Sequence, residues 1–525
     1  MNDSSRSESR RGRSSPTPVA SGPSIVGERG SPRARAIGST VGLGLGAFFL
    51  AWPGLPLDPA QRGAAAVTAL VSALWATLAL PLAATSLLPA ALFPLLGVST
   101  ASRVAESYAH ELVLLFLGAF VLALGLERWG VPRRAALRVV QVFGASPRAL
   151  CLGFMATSAL LSMWISNTAT TLILLPIATA VLASVECDER ERGELSIAML
   201  LGIAYAASIG GTATPVGTAP NIAFLSVWKA ETGGARPISF GTWMIAWLPL
   251  SVLFVPLAWF LLTRVLHRVS GAPDAATRAQ AREVVRAERA RLGPLSRAQL
   301  AMGALFVTTA LLWVTRRDLE LGVVTLPGWS RLLPAPDAIG DSTVALAMAA
   351  LAFVLPARAP DGERTWLVTW RSAERLPWEV VLLFGGGFAV AGAFQDTGLA
   401  EVLGDALAPL MVGRSTWTIV FAAALLLSFL TEVTSNTATT FVLLPVAAAG
   451  ARAAGLDPLV VMAPVTLAAS LAFMLPVATP PNAIVTATRL VPPPIMARTG
   501  FALNLLGVVL VTIVFQLWAR ARLGG

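Results

Sequence analysis

Residues 160–178 read LLSMWISNTATTLILLPIA, and residues 426–447 read LLSFLTEVTSNTATTFVLLPVA. The same uncharged polar hexapeptide, SNTATT, stands at 166–171 and again at 435–440. Both copies lie in apolar runs, and a proline follows each, Pro176 and Pro445. Hydroxyl and amide groups buried without partners cost free energy, so a chain does not place them in apolar surroundings twice without a use for them. The rest of the sequence supplies that use.

The chain of 525 residues is 55% hydrophobic and only 13% charged, with a mean hydropathy of +0.70. Soluble domains carry roughly 25% charged residues, so this composition describes a polytopic membrane protein. A helix that spans the bilayer needs about 20 mostly apolar residues, and the chain has room for many. The formal net charge of +10 comes almost entirely from arginine, Lys229 being the only lysine. Membrane proteins collect arginine in cytoplasmic loops. No basic run is interleaved with the aromatics that base stacking needs, which excludes nucleic acid as a partner. Two cysteines (Cys151, Cys187) and two histidines (His110, His267) are too few for a metal cluster or a disulfide framework, and read as packing or loop residues.

Residues 1–36 are rich in Ser, Arg, Pro and Gly and read as a disordered, basic, cytoplasmic tail, not a signal peptide. Apolar spans follow, in two halves, 37–264 and 298–525, joined by a charged cytoplasmic linker at 265–297 that reads as solvated. The SNTATT copies fall in hairpin-like segments, 149–184 and 415–450. With both hairpins re-entrant, eleven crossings remain. The segments placed in the cytoplasm then carry most of the 39 Lys and Arg. Full spans at the hairpins would move the Arg-rich 265–297 outside.

The copies belong to longer repeats. ELVLLFLGAFVLALGLERWGV starts at Glu111 and EVVLLFGGGFAVAGAFQDTGL at Glu379, with Phe116, Phe120 and Gly130 matching Phe384, Phe388 and Gly398 at a constant offset. After each SNTATT comes a Gly/Pro-broken segment, within 195–228 and 457–488, that contains SIGGTATPVGTAPN (208–221) or SLAFMLPVATPPN (470–482). An odd number of crossings between corresponding elements makes the repeats inverted. Inverted repeats with interrupted helices are the sequence pattern of secondary transporters, whose site lies at the midplane. Non-helical backbone at that depth survives only where protein or a wet cavity surrounds it. Hairpins entering from opposite faces would bring both tips there. Their amide N–H groups, hydroxyls and half-helix N-termini suit carboxylate oxygens, while hydroxyl, amide and main-chain oxygens suit a hard monovalent cation. Neither tip holds Arg or Lys, so bound cations would supply the countercharge for an anion, and each would lower the desolvation cost of the other.

In these residues the chain resembles the divalent anion:sodium symporter family, the di- and tricarboxylate transporters. The paired motifs are Ser166-Asn167-Thr168 and Ser435-Asn436-Thr437, and the resemblance covers residues 37–520. It implies that Asn167, Thr168, Asn436 and Thr437 bind the substrate carboxylates. It also implies two sodium sites: Ser162, Ser166 and Asn167 with a carbonyl near Gly211, and Thr431, Ser435 and Asn436 with a carbonyl near Ala478. Further implications are a homodimer in the lipid of the inner (plasma) membrane, and an elevator in which a transport domain slides against a scaffold domain. The expected function is sodium-coupled symport of C4-dicarboxylates such as succinate, malate or fumarate. The alternatives are a sodium-independent exchanger and a citrate or sulfate carrier. An enzyme would need a catalytic constellation near the tips, and none stands there. A channel fits two tips sealing a midplane site less well than a carrier does. Glu432, beside the second tip, is an intramembrane carboxylate and reads first as a group that orients the hairpin.

Overall fold

The computed structural model describes residues 31–524 except 53, 144–145, 185–187, 270–274, 321–323 and 360. Most of the expected tail, and Cys187, lie outside the described residues. The last residues of that tail are helical: α1 (Pro32–Ala51) starts with proline in its first turn, and the Ser31 side chain accepts from the Ala34 N–H. Gly38, Gly42 and Gly46 form its buried face. A Cβ at Gly38 would strike Thr77, which is why α1 can lie so close against α2 (Pro59–Thr77).

The first half continues with α3 (Leu82–Leu95), α4 (Ala101–Tyr108), α5 (Glu111–Arg128) and the short amphipathic α6 (Val131–Phe143). Helices α7 (Pro147–Ser162) and α8 (Asn167–Ser184) form the first hairpin. Helix α9 (Glu189–Gly211), an unwound segment and α10 (Ala219–Glu231) form the first broken helix, and α11 (Phe240–Phe260) follows. The linker carries α12 (Ala275–Arg291), leading to α13 (Arg297–Val314) and α14 (Asp341–Val354). A single turn, α15 (Trp370–Ala373), precedes α16 (Trp378–Asp396) and the short amphipathic α17 (Leu399–Leu407). The second hairpin is α18 (Thr416–Leu430) with α19 (Asn436–Ala453), the second broken helix α20 (Leu459–Ala469) with α21 (Pro480–Ala487), and α22 (Pro493–Val514) is the last long helix. Strand is confined to two small antiparallel ribbons among the described residues: β1 (Leu319–Glu320) with β2 (Thr325–Leu326), and β3 (Pro356–Arg358) with β4 (Arg364–Trp366). Eight of the described helical stretches are long and apolar enough to cross a membrane, and four shorter helices are apolar. The all-α polytopic expectation holds.

The series α5–α11 recurs as α16–α22. The halves are also exchanged in space: α10 packs on α19 and α20, while α21 packs on α8 and α9. The ring of Tyr205 on α9 meets that of Phe473 in the second unwound segment at 4.9 Å between centroids. Each half therefore braces the hairpin of the other, and both SNT turns belong to one packed bundle. The LFGGGF run on α16 serves close approach on two sides. A Cβ at Gly385 would strike Tyr108 of α4, one at Gly386 would strike Ser86 of α3, and one at Gly387 would strike Phe441 of α19.

The linker differs from the solvated helix that its charges suggested. Helix α12 packs against α6 and α8, with Val285 and Glu288 buried. Glu288 accepts from Arg133 at 2.7 Å and Arg291 at 2.5 Å, and the Arg134 guanidinium donates to the carbonyls of Leu292, Gly293 and Pro294. A helix charged on most faces finds its partners on the basic arm α6, and no sequence period announces that.

Candidate functional site

Both SNT turns are built by one local device. The serine is the last non-helical residue, and its hydroxyl accepts a backbone N–H of the first turn: Ser166 from Ala169 at 3.2 Å, Ser435 from Ala438 at 3.4 Å. The asparagine opens the helix, and the final threonine ties down its carbonyl: Thr171 donates to Asn167 O at 2.9 Å and Thr440 to Asn436 O at 2.6 Å. The remaining first-turn N–H groups of α8 and α19 face the tip, with no acidic side chain in either first turn to neutralise them. Thr168 and Thr437 sit partly exposed in those first turns.

At the first tip, two of the expected donors meet and Gly211 lies beside them. Ser162 is fully buried, and its hydroxyl donates to Asn167 Oδ1 at 2.5 Å. Gly211 is close enough that a Cβ there would lie 3.0 Å from the same Oδ1. At the second tip, the Thr431 hydroxyl donates back to Leu427 O at 2.9 Å and Ser428 O at 3.2 Å, which leaves its oxygen lone pairs open. Asn436 Oδ1 is buried without a hydrogen-bond partner among the described residues. A buried amide oxygen of that kind calls for a cation or water. Oxygen atoms of hydroxyl, amide and carbonyl type make up this donor set, which suits a hard ion such as sodium.

The unwound segments are held by their terminal asparagines. Asn221 Nδ2 donates to Gly211 O at 3.1 Å and Thr214 O at 2.8 Å, ten and seven residues back. Asn482 Nδ2 donates to Ala472 O at 3.1 Å and Leu475 O at 3.0 Å, again ten and seven residues back. This register makes Ala472 the counterpart of Gly211, and Ala478 the counterpart of Gly217. The expected pair Gly211 and Ala478 therefore occupies two different positions of the repeat. Gly217 was missing from the sequence-based set. It lies directly against Gly211, where a Cβ on either residue would meet the other's backbone or carbonyl, so both must lack side chains. No hydrogen bond joins Ala478 to the second hairpin among the described residues; its N–H bonds Leu475 O at 3.2 Å.

Glu432 is 3% exposed and braces the second unwound segment. Its Oε1 accepts from the N–H groups of Phe473 (2.8 Å) and Met474 (2.9 Å) and from Asn504 Nδ2 (2.7 Å), and its Oε2 from the N–H of Leu475 (3.0 Å). The first half has Met163 after Ser162, as Glu432 follows Thr431, and there the Met163 carbonyl accepts from Thr214 Oγ1 at 2.5 Å. Of the residues that sequence reasoning missed, Asn221 and Asn482 had left a signal, the Pro-Asn pair closing both broken segments. Asn504 and Thr214 had left none.

The family described as the sodium:sulfate symporter transmembrane region matches residues 40–523. A protein of Staphylococcus saprophyticus named sodium-dependent dicarboxylate transporter SdcS is 35% identical over 501 residues, 93% of each chain. A Staphylococcus aureus protein of the same name is 36% identical over 457 residues, 86% of this chain and 84% of that one. Two solved structures share the fold. MtrF of Neisseria gonorrhoeae superposes with a TM-score of 0.54 at 13% identity, over 79% of this chain and 83% of that one. YdaH of Alcanivorax borkumensis gives 0.55 at 14%, over 80% and 90%. With a family match over nearly its whole length and relatives above 30% identity, the chain belongs to the sodium:sulfate symporter family, the group that its paired SNT motifs resembled in the sequence.

Proposed function

We propose that this protein is a sodium-coupled importer of C4-dicarboxylates in the plasma membrane. The observation that carries the proposal is the pairing, at each tip, of a motif asparagine with a helix N-terminus on one side and buried oxygen donors on the other. N–H groups and the Asn167, Thr168, Asn436 and Thr437 side chains suit the carboxylates. The oxygens of Ser162, Ser166, Asn167, Gly211, Thr431, Ser435, Asn436 and Ala478, together with Gly217 by its register, suit two sodium ions. The relatives at 35% and 36% identity, named for sodium-dependent dicarboxylate transport, support the same reading. Sodium and anion here are both cargo, each making the other's desolvation less costly.

The transport motion proposed is an elevator within a homodimer, with the N-terminus in the cytoplasm. Helices α1–α5 and α13–α16 form the scaffold, and both hairpins, both broken helices and α22 carry the site. The ion pair of Lys229 on α10 with Glu111 on α5, 2.7 Å long, then joins the two parts. Both side chains are about half exposed, so the pair contributes little beyond fixing one docked position.

The test is uptake of labelled succinate by proteoliposomes, with and without an inward sodium gradient, against cold malate, fumarate, citrate and sulfate. Sodium-dependent uptake inhibited by the C4 acids is expected. Uptake that ignores sodium and runs only against internal dicarboxylate replaces symport with exchange. Dominant competition by citrate or sulfate replaces the substrate.

Coupling has its own test. Ser162→Ala and Thr431→Ala each remove a buried hydroxyl from a proposed cation site, worth about 1 kcal/mol or roughly five- to tenfold in affinity. Each variant is expected to raise the sodium concentration for half-maximal succinate uptake by that factor, with uptake near normal at saturating sodium. An unchanged sodium dependence in both would remove these hydroxyls from the cation sites.

A further inference from the structure

Away from the tips, a cavity of about 540 Å³ opens where the C-terminal end of α5 meets the turn α15. It is lined by Leu124, Glu127, Arg128, Arg371 and Arg375, with the hydroxyl-bearing Thr369 and Ser372. Arg128 is anchored, donating to Thr365 Oγ1 at 3.2 Å and Trp366 O at 3.4 Å. Arg371 and Arg375 are exposed, and no ion pair or hydrogen bond holds their guanidinium groups among the described residues. Three guanidinium groups against one carboxylate leave the cavity in need of an anion.

Its surroundings say which kind. Trp366, Trp370 and Trp378 are 49%, 71% and 44% exposed along the same segment, and exposed tryptophans gather at the headgroup level of a bilayer. Next to them α14 presents exposed Leu346, Leu351 and Val354, a surface suited to acyl chains. The Trp370 ring lies 6.4 Å from that of Phe353 on α14, joining the apolar and basic parts. A free anion would use the arginines and leave the aromatic and aliphatic border idle. We infer that this cavity is a binding site for an anionic phospholipid, its phosphate held by Arg128, Arg371 and Arg375 and its chains lying along α14.

Arg371 and Arg375 stand outside the transport site and carry no ion pair among the described residues, so their loss leaves the fold intact. Detergent-purified full-length protein is mixed with phosphatidylglycerol or phosphatidylcholine, and the lipid retained is counted by native mass spectrometry. Wild type is expected to retain phosphatidylglycerol over phosphatidylcholine. The double variant Arg371→Ala/Arg375→Ala is expected to bind phosphatidylglycerol about thirtyfold more weakly, two arginines near the surface being lost. Arg414→Ala, which removes an exposed unpaired arginine elsewhere, is expected to behave as wild type. Equal retention of both lipids, undiminished retention by the double variant, or loss matched by Arg414→Ala would overturn the site. So would full displacement of the lipid by glycerol phosphate, which would make the cavity a soluble phosphate site.

Discussion

Asn167→Ala and Asn436→Ala are each expected to abolish dicarboxylate uptake while leaving an inserted, folded protein. Each asparagine opens a half-helix at a tip, and its side chain contributes nothing to the apolar packing around it. Asn167 Oδ1 is the acceptor of the buried Ser162 hydroxyl and the neighbour of Gly211, and Asn436 Oδ1 is a buried acceptor left without a partner. Truncation removes from each tip the one group able to serve the anion through its N–H₂ and a cation through its oxygen. Loss of one hydrogen bond to a charged group costs about 1.5–3 kcal/mol, roughly ten- to a hundredfold in affinity. Loss of an ion ligand at the same time carries the effect further, because ion and anion bind together. The check is succinate uptake in proteoliposomes beside a thermal melt in detergent. Near-normal uptake by both variants would remove the motifs from the site, whatever the family match.

Glu432→Ala is expected to fail differently, in stability as well as in transport. The carboxylate satisfies three consecutive backbone N–H groups and the Asn504 amide, all buried or partly buried. Its removal leaves the N–H groups of Met474 and Leu475 and the Asn504 amide without their acceptor, the Phe473 N–H keeping only Asn504 Oδ1 at 3.2 Å, and each orphaned buried donor costs about 1–3 kcal/mol. The second unwound segment would lose its fixed shape, and the melting temperature should fall together with uptake. Glu432→Gln separates the roles. It keeps the volume but turns one oxygen into a donor that faces N–H groups, so a strut predicts a lowered melt here too. A melt equal to wild type, with a shifted sodium dependence, would instead make Glu432 a ligand or field for the cation.

Much of the architecture is written locally. Apolar runs of spanning length need no partner to be recognised, since the bilayer itself imposes their length and composition. The repeated ELVLL and EVVLL runs, the two SNTATT copies and the two Pro-Asn endings make the twofold series visible in the sequence. The structure reproduces it as α5–α11 and α16–α22. The hairpin turns were legible for the same reason: a serine caps a first-turn N–H and a threonine bonds back to the asparagine carbonyl, each within four residues.

The remaining features depend on contacts between distant parts of the chain. Unwound backbone has no period, so its register could not be counted from sequence, and the asparagine bonds make Ala472, not the expected Ala478, the repeat counterpart of Gly211. Gly217 earns its place only because Gly211 folds back onto it. Glu432 looked like an isolated acid because its acceptor capacity is met 41 to 43 residues away by the second unwound segment and 72 residues away by Asn504. Helix α12 looked solvated because Arg133, more than 150 residues from Glu288, supplies the charge that lets it pack. The sequence by itself determined the apolar helical runs, the repeat and the capped SNT turns, since each is encoded in residues close together along the chain. Only the tertiary structure decided how the broken segments are held and which carbonyls their asparagines bond, because hydrogen bonds at an interrupted helix are made to whatever the fold brings beside it.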